Sequence, residues 1–539
     1  MSSKRYQQFD SDMELDTSET ISSISSWTAS SPRKVRTDHV VGRPQQIAPR
    51  RQSSLSVFGS RVQAKLHTWL GTGKEQSAMS SAGDVEPGGG PTPEAIEPGS
   101  SFESSCLIPD GLSQEQIAVY ETILKVVKRR GRSEGPRVVV ITDLAKDYDD
   151  LAALIILKEL HRLGVITLVG FVANLMPSER RALFGRGALD SVNLRDIPIA
   201  KGTTGYPKKA YQGKVGKNQH KELPHEFKGI EEFPAIEPYD RDMLLKDGEG
   251  DKLLLKLFSD AETTGRKLTL LLISSLEDIF TFSKENPTTL CAGLENVVLQ
   301  GGYSFNEGRQ LVPANDANNN RYDMEAAERF HTFMQEKKIH SVVYTKIAAF
   351  ATPIYSDFFA ELKETGHPLG KHLHMAQTEQ DLAFYNSACN KDPAKRFSDY
   401  MDQEWYLRNK TSWFENLEED SPQYLPPDHP LYHAQGAPFP EGAKVLPYLT
   451  KVVVYDALAA LGVSGEDALK DLKVLTKDTT QSLSIHRVVG TPGPPLDTGI
   501  NSKEMATALC AFLKGSLLES LQANCEGGTS HVMSGDPAS

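Results

Sequence analysis

The sequence predicts an α/β fold: a mostly parallel twisted sheet with helices on both faces. Three observations carry this. Short apolar runs such as Pro136-Arg-Val-Val-Val-Ile-Thr-Asp143 are continuous rather than alternating, as strands buried on both faces must be. Between them lie stretches with helical spacing of apolar residues. Strands and helices alternate along the chain, the order that builds a parallel sheet from crossover units.

Taken in order, Ser113-Gln-Glu-Gln116 is a capping-box pattern ahead of Ile117, Tyr120, Ile123, Leu124 and Val127, which share one face of a helix. The strand ending at Asp143 follows. A helix is expected over Leu151–Leu160, a strand over Val165–Ala173, a helix over Ser178–Val192 and a short strand over Ile197–Ala200. Further strands are expected at Lys267–Ile273, Val297–Gln300 and Ser341–Thr345. Ligands of such a sheet bind beyond the carboxyl ends of its strands, so Asp143, Asn174, Ser274, Gly301 and Gly302 stand where side chains are free for function.

This pattern fills residues 106–520, with a divergent insertion or lid expected at 360–448, rich in Pro near Pro422–Pro440. Residues 1–105 are Ser-, Pro- and Gly-rich and too poor in apolar residues to offset the entropy of ordering, so a disordered N-terminal region is expected there, and a disordered tail over 521–539. The 539 residues carry a formal net charge of -12, which argues against nucleic acid as the main partner. Five cysteines lie scattered without Cys-x-x-Cys or Cys/His spacing, against a disulfide framework or a zinc site. No apolar run approaches the ~18 residues of a membrane span, and MSSKRYQQFDSDMELD has no signal-peptide apolar region. A soluble cytoplasmic protein with no membrane partner is expected.

The most informative stretch is Ile141-Thr-Asp-Leu-Ala-Lys-Asp-Tyr-Asp-Asp150. It places Asp143, Asp147, Asp149 and Asp150 on the loop joining a buried strand to a helix. One aspartate there would cap the helix and favour its dipole. Several converging carboxylates repel one another unless a cation or protons relieve them. Hard oxygen donors of this kind suit calcium or magnesium rather than zinc.

Here the chain resembles the inosine–uridine nucleoside hydrolases, in a longer Thr-Asp-x-x-x-Asp-x-Asp-Asp variant of that family's first loop. The resemblance runs in order from Arg137 to Ala459. Val169-Gly-Phe-Val-Ala-Asn174 matches a strand whose Asn contacts ribose. Leu270-Leu-Leu-Ile-Ser-Ser-Leu-Glu-Asp278 takes the place of a turn whose backbone carbonyl binds calcium, here that of Ile273. Val297-Val-Leu-Gln-Gly-Gly302 matches a Gly-Gly turn. Asn315-Asp-Ala-Asn-Asn-Asn-Arg-Tyr-Asp-Met-Glu-Ala-Ala327 puts Asn319 on the Asn that holds ribose hydroxyls. Val453-Val-Tyr-Asp-Ala-Leu-Ala459 makes Asp456 the last calcium ligand. An alignment gapped in the first loop gives Asp143 the general-base and metal position; an ungapped one puts Ala145 there. Asp147 is either an extra ligand or a loop residue.

The resemblance implies a calcium-dependent hydrolase cleaving the N-ribosidic bond of a nucleoside or riboside, with a small molecule as partner and, as in many members, a homo-oligomer. The ligands would be Asp143, Asp150, Asp456 and the Ile273 carbonyl, with Asp149, Asn174 and Asn319 gripping hydroxyls. Three departures favour the alternative of a silent binding or regulatory protein. The family's Glu falls on Ala317, where Asp316 would substitute. Tyr455 replaces the leaving-group His, and the first loop is lengthened. His220, His374 and His433 are alternative acids; Trp405 and Trp413 would stack on a base or fill a core.

Overall fold

Val138, Val139, Val140, Ile141 and Thr142 are all buried, because this run lies in the middle of the sheet and meets a core on each face. The computed structural model describes residues 107–529 apart from 132–134, 208–225, 228–248, 307–309, 353, 398, 415–438, 477–484 and 492–495. The expected N-terminal region 1–105 and residues 530–539 lie outside these.

The strands among the described residues are, in chain order, β1 (Arg137–Thr142), β2 (Thr167–Ala173), β3 (Ile199–Lys201), β4 (Leu268–Leu272), β5 (Leu294–Gln300), β6 (Tyr303–Phe305), β7 (Leu311–Pro313), β8 (His340–Tyr344), β9 (Ile354–Tyr355), β10 (Lys451–Val452) and β11 (His486–Val489). Seven form one sheet in the order β3-β2-β1-β4-β5-β8-β11, parallel throughout. The other four make two antiparallel pairs, β6 with β7 and β9 with β10. The strand order reverses between β1 and β4, which makes the crevice beyond their carboxyl ends the place for a ligand.

Side chains alternate across the sheet. Val138 and Val140 enter the core built with helices Gln114–Arg130, Tyr148–Arg162, Tyr455–Gly462 and Ser502–Thr529. Val139 and Ile141 enter the opposite core, with helices Gly250–Thr264, Glu277–Glu285 and Met324–Lys337. This is the α/β architecture the sequence predicts, with helices on both faces. The Ser113–Gln116 capping box forms as expected, each partner accepting from the other's backbone.

Helix Tyr148–Arg162 is buried from Tyr148 to Leu160, between the sheet and the helices that follow it in space. Its two mid-helix charges are therefore paired. Lys158 donates to the Ser516 carbonyl at 3.1 Å and pairs with Glu519, while Glu159 accepts from Arg162 and Tyr120, each at 2.6 Å. Helix Ser502–Thr529, which carries Ser516 and Glu519, runs past residue 520.

Within 360–448, helices Pro368–Ala388 and Gln403–Lys410 enclose a core of their own, made by Tyr385, Tyr406, Leu407, Phe414 and Val445, with Leu449 just beyond. Among the described residues no helix is long and apolar enough to cross a membrane.

Candidate functional site

β1 delivers Asp143 to the carboxyl edge of the sheet, where it is 1% exposed. The chain then turns, with the Lys146 amide donating to the Asp143 carbonyl at 3.1 Å and Ala145 taking a left-handed φ of 67°. Helix Tyr148–Arg162 starts at once. Asp147 stands at its N-cap but makes no capping bond with its side chain. Asp150 turns back instead: its Oδ1 accepts from the Thr142 hydroxyl at 2.5 Å and from the Asp143 amide at 3.1 Å. That bond pair ties the first turn of the helix to the end of β1.

Helix Tyr455–Gly462 arrives from the far end of the chain and packs beside Tyr148–Arg162, bringing Asp456 in its own first turn. Asp147, Asp149, Asp150 and Asp456 each offer a carboxylate oxygen, all within 4.8 Å of one another. Asp143 Oδ2 and Asp150 Oδ2 are buried without a hydrogen-bond partner. Such an arrangement is unstable by itself. Burial first, and repulsion from Asp147 and Asp150, hold Asp149 well above the usual carboxylate range. Burial does the same to Asp150, with Asp143 and Asp147 adding to it, and to Asp456, with Asp149 and Asp150 adding to it. Asp143 is raised as well, again by burial, with Lys146 pulling in the opposite direction. Protons or a cation relieve such crowding. The all-oxygen donor set and the unpartnered buried oxygens fit a hard divalent ion.

Of the residues singled out in sequence, the structure gathers Asp149, Asp150 and Asp456, together with Asp147, which sequence left open between ligand and loop residue. Asp143 adjoins them through its bond to Asp150. Ile273 follows β4, its amide donating to the Ile141 carbonyl at 3.0 Å, so it flanks the end of β1. Asn174 is committed elsewhere: its amide donates to the Ser275 carbonyl at 2.9 Å and to Asp278 at 2.7 Å, and its oxygen accepts from Ser274 at 2.5 Å. Gly202 is needed beside it, since a Cβ there would come within 2.7 Å of the Asn174 Cβ. Asn319 donates to Gln300 Oε1 at 2.7 Å, at the end of β5. Tyr455 precedes Asp456, its ring 5.9 Å from that of Phe350, and burial together with Asp149 and Asp147 pushes its hydroxyl far up. Asp316 is held by Lys346 at 2.6 Å.

His220 and His433 lie outside the described residues. Burial, then Lys363, lowers His374. Trp405 packs 6.1 Å from Phe384, and Trp413 lies edge-on to Tyr448 at 4.7 Å. Both belong to the small core of the 360–448 region.

Two residues that sequence reasoning passed over shape this loop. Arg181 is fully buried and donates to the carbonyls of Asp143, Leu144 and Leu175 and to Glu226 at 2.7 Å, clamping the loop after β1 to the loop after β2. Its only sequence signal is a charged residue between Ser178 and Val192 at a position with core neighbours such as Ala182 and Phe184. Lys146 lies within the acidic motif itself, 3.1 Å from Asp147 and 3.6 Å from Asp143.

No protein-family model matches the sequence, and no curated protein matches it. Solved structures do match. The type III effector protein XopQ, solved in complex with adenosine diphosphate ribose, is 18% identical with a TM-score of 0.55, over 75% of this chain and 99% of that one. The effector protein XOO4466 is 21% identical with a TM-score of 0.56, over 75% and 99%. An inosine–uridine preferring nucleoside hydrolase from Bacillus anthracis is 15% identical with a TM-score of 0.37, over 70% and 99%. At these identities the likeness to the two effector proteins is one of fold alone.

Proposed function

We propose that this protein is a hydrolase that cleaves the N-ribosidic bond of a ribonucleoside or related riboside, releasing base and ribose, with calcium as its metal. The observation that carries this reading is the set of four carboxylates within 4.8 Å at the carboxyl end of the central strands, one of which, Asp150, keeps its Oδ2 buried and unpartnered. Asp150 and Asp456 would hold the ion, with Asp147 as a further carboxylate and with Asp143 and the Ile273 carbonyl, both at the strand ends, completing the set. Calcium bound there supplies acidification of a water and a clamp for ribose hydroxyls.

The chain's own residues supply the rest. Asp143, at the end of β1, is placed to accept the proton of that water. Asp149 grips a hydroxyl, and the carboxylates together favour positive charge developing on the ribosyl ring. Asn319 reaches a hydroxyl from the end of β5. Asn174 acts one step back, orienting Ser274, Ser275 and Asp278. Tyr455 stays protonated through the neutral range and offers the leaving base a hydrogen bond.

The test is reducing-sugar release from a panel of ribosides, with calcium and with chelator. Chelator-sensitive release, reduced on the order of 10²-fold by Asp150→Asn, is expected. Release untouched by chelator and by Asp150→Asn would sink the reading.

A second reading, a protein that binds ribosides without turnover, is favoured by Tyr455, whose raised pKa makes it a weak leaving-group acid, and by the pairing of Asp316 with Lys346. The neighbour solved with adenosine diphosphate ribose supplies the ligand to try. Calorimetric binding of that compound with no ribose release from any riboside would select this reading.

A further inference from the structure

Lys146 is the charged residue of the acidic loop that the chemistry above leaves unused. Its side chain is 13% exposed, and Nζ stands 3.1 Å from Asp147 Oδ2 and 3.6 Å from Asp143 Oδ2. The ring of Tyr322 lies 5.5 Å from the ammonium. A charge this enclosed is stable only when paired.

Asp147 therefore belongs to two arrangements. It is the nearer carboxylate partner of Lys146, and it is one of the four carboxylates that converge on a single point. An ammonium and a divalent ion on the same carboxylate repel one another at a few ångströms, in surroundings where water screens them poorly. Compensation by the lysine is also incomplete. Five carboxylates, Asp143, Asp147, Asp149, Asp150 and Asp456, face one ammonium, and Asp150 Oδ2, on a residue 1% exposed, keeps no hydrogen-bond partner. The lysine thus steadies the cluster without filling it.

We propose that Lys146 is a resident counter-ion that shares Asp147 with the divalent cation and thereby sets how tightly that cation binds. In the cation-free protein the ammonium neutralises the Asp143–Asp147 edge of the cluster. When the cation enters, Lys146 yields Asp147 and Asp143 to it and keeps Tyr322. This inference rests on the cation site proposed above.

The experiment is calorimetric titration of the full chain with calcium chloride, for the unaltered protein, Lys146→Gln and Lys146→Arg. Thermal melting of each in chelator and in calcium accompanies it. Lys146→Gln is expected to bind calcium about tenfold tighter or more, to melt lower in chelator, and to gain more from calcium than the unaltered protein does. Lys146→Arg keeps the charge and should bind within about threefold of the unaltered protein. Equal or weaker calcium binding by Lys146→Gln, with binding by the unaltered protein intact, overturns the lysine's part and leaves the cation site standing. No calcium binding by any of the three overturns the cation site and the competition together.

Discussion

Asp147 shows at the scale of one residue how local stability is given up at this site. An aspartate at an N-cap ordinarily contributes about 1 kcal/mol by accepting from the first turn. Here the N-cap carboxylate faces Lys146 and the other aspartates and makes no capping bond. Ala145 adds to the cost, since a left-handed φ of 67° strains any residue with a Cβ. Ala145→Gly should therefore leave stability unchanged or raise it by up to ~1 kcal/mol, the relief of strain outweighing the added freedom of the unfolded chain. A lower urea midpoint in that variant would show that the turn is not strained. Arg181 supports the same loop from beneath. Both it and Glu226 have fully buried side chains. Arg181→Met removes the guanidinium from Glu226 and from the carbonyls of Asp143 and Leu144, and should cost on the order of 3–5 kcal/mol in urea unfolding. A loss under ~1 kcal/mol would remove the clamp from the account.

Among the elements, those legible in the sequence are the ones whose pattern follows from burial alone. β1, β2, β4 and the capped first helix were readable because a continuous apolar run or a one-sided stripe has few other uses. Apolar spacing marks helix Tyr148–Arg162 only from Leu151, and its first turn shows in the sequence through Asp149 and Asp150, which suit a helix start. β11 is only His486–Val489 and pairs on one side, with β8, so it has little pattern to show. Within the site, Asp149 and Asp150 are legible because several carboxylates at a strand end and helix start need a common explanation, whereas Asp456, far along the chain from them, is reached only through the resemblance of Val453–Ala459 to the nucleoside hydrolases. Lys146 and Arg181 are not legible, because pairing depends on the fold and leaves no periodicity. The aromatics of Arg396–Phe414 were left open between base stacking and packing. The structure places Trp405 against Phe384 and Tyr400, at 6.1 Å from each, beside a core of Tyr385, Tyr406 and Leu407. Trp405→Ala should thus lower stability by about 2 kcal/mol and leave the KM for any riboside within about twofold. A base-stacking role would instead raise KM tenfold or more, at ~1–3 kcal/mol per stacked base.

Across the whole molecule, burial has also enclosed histidines that have no part in the carboxylate site, and these tie stability to pH. His331, His367 and His372 are 3%, 1% and 6% exposed and belong to three different surroundings. His331 Nδ1 bonds the Ala327 carbonyl. His367 caps helix Pro368–Ala388 by accepting the Leu369 amide at 3.1 Å. His372 lies against Phe184, ring centroids 5.2 Å apart. Burial lowers each to about 4, from an ordinary value of 6.5. Above pH 6.5 both folded and unfolded chains carry these rings neutral, and they contribute nothing. As pH falls below 6.5 the unfolded chain takes up protons that the folded one excludes, so stability is lost, and the loss levels off only below pH 4. At pH 5 each ring accounts for about 2 kcal/mol. His372→Leu removes one titrating ring from an apolar contact. The drop in unfolding free energy between pH 7 and pH 5, read from urea midpoints, should be smaller in this variant by about 2 kcal/mol. An equal drop in both proteins would mean that His372 takes its proton in the folded state at no cost, and that its enclosure against Phe184 is looser than the structure has it.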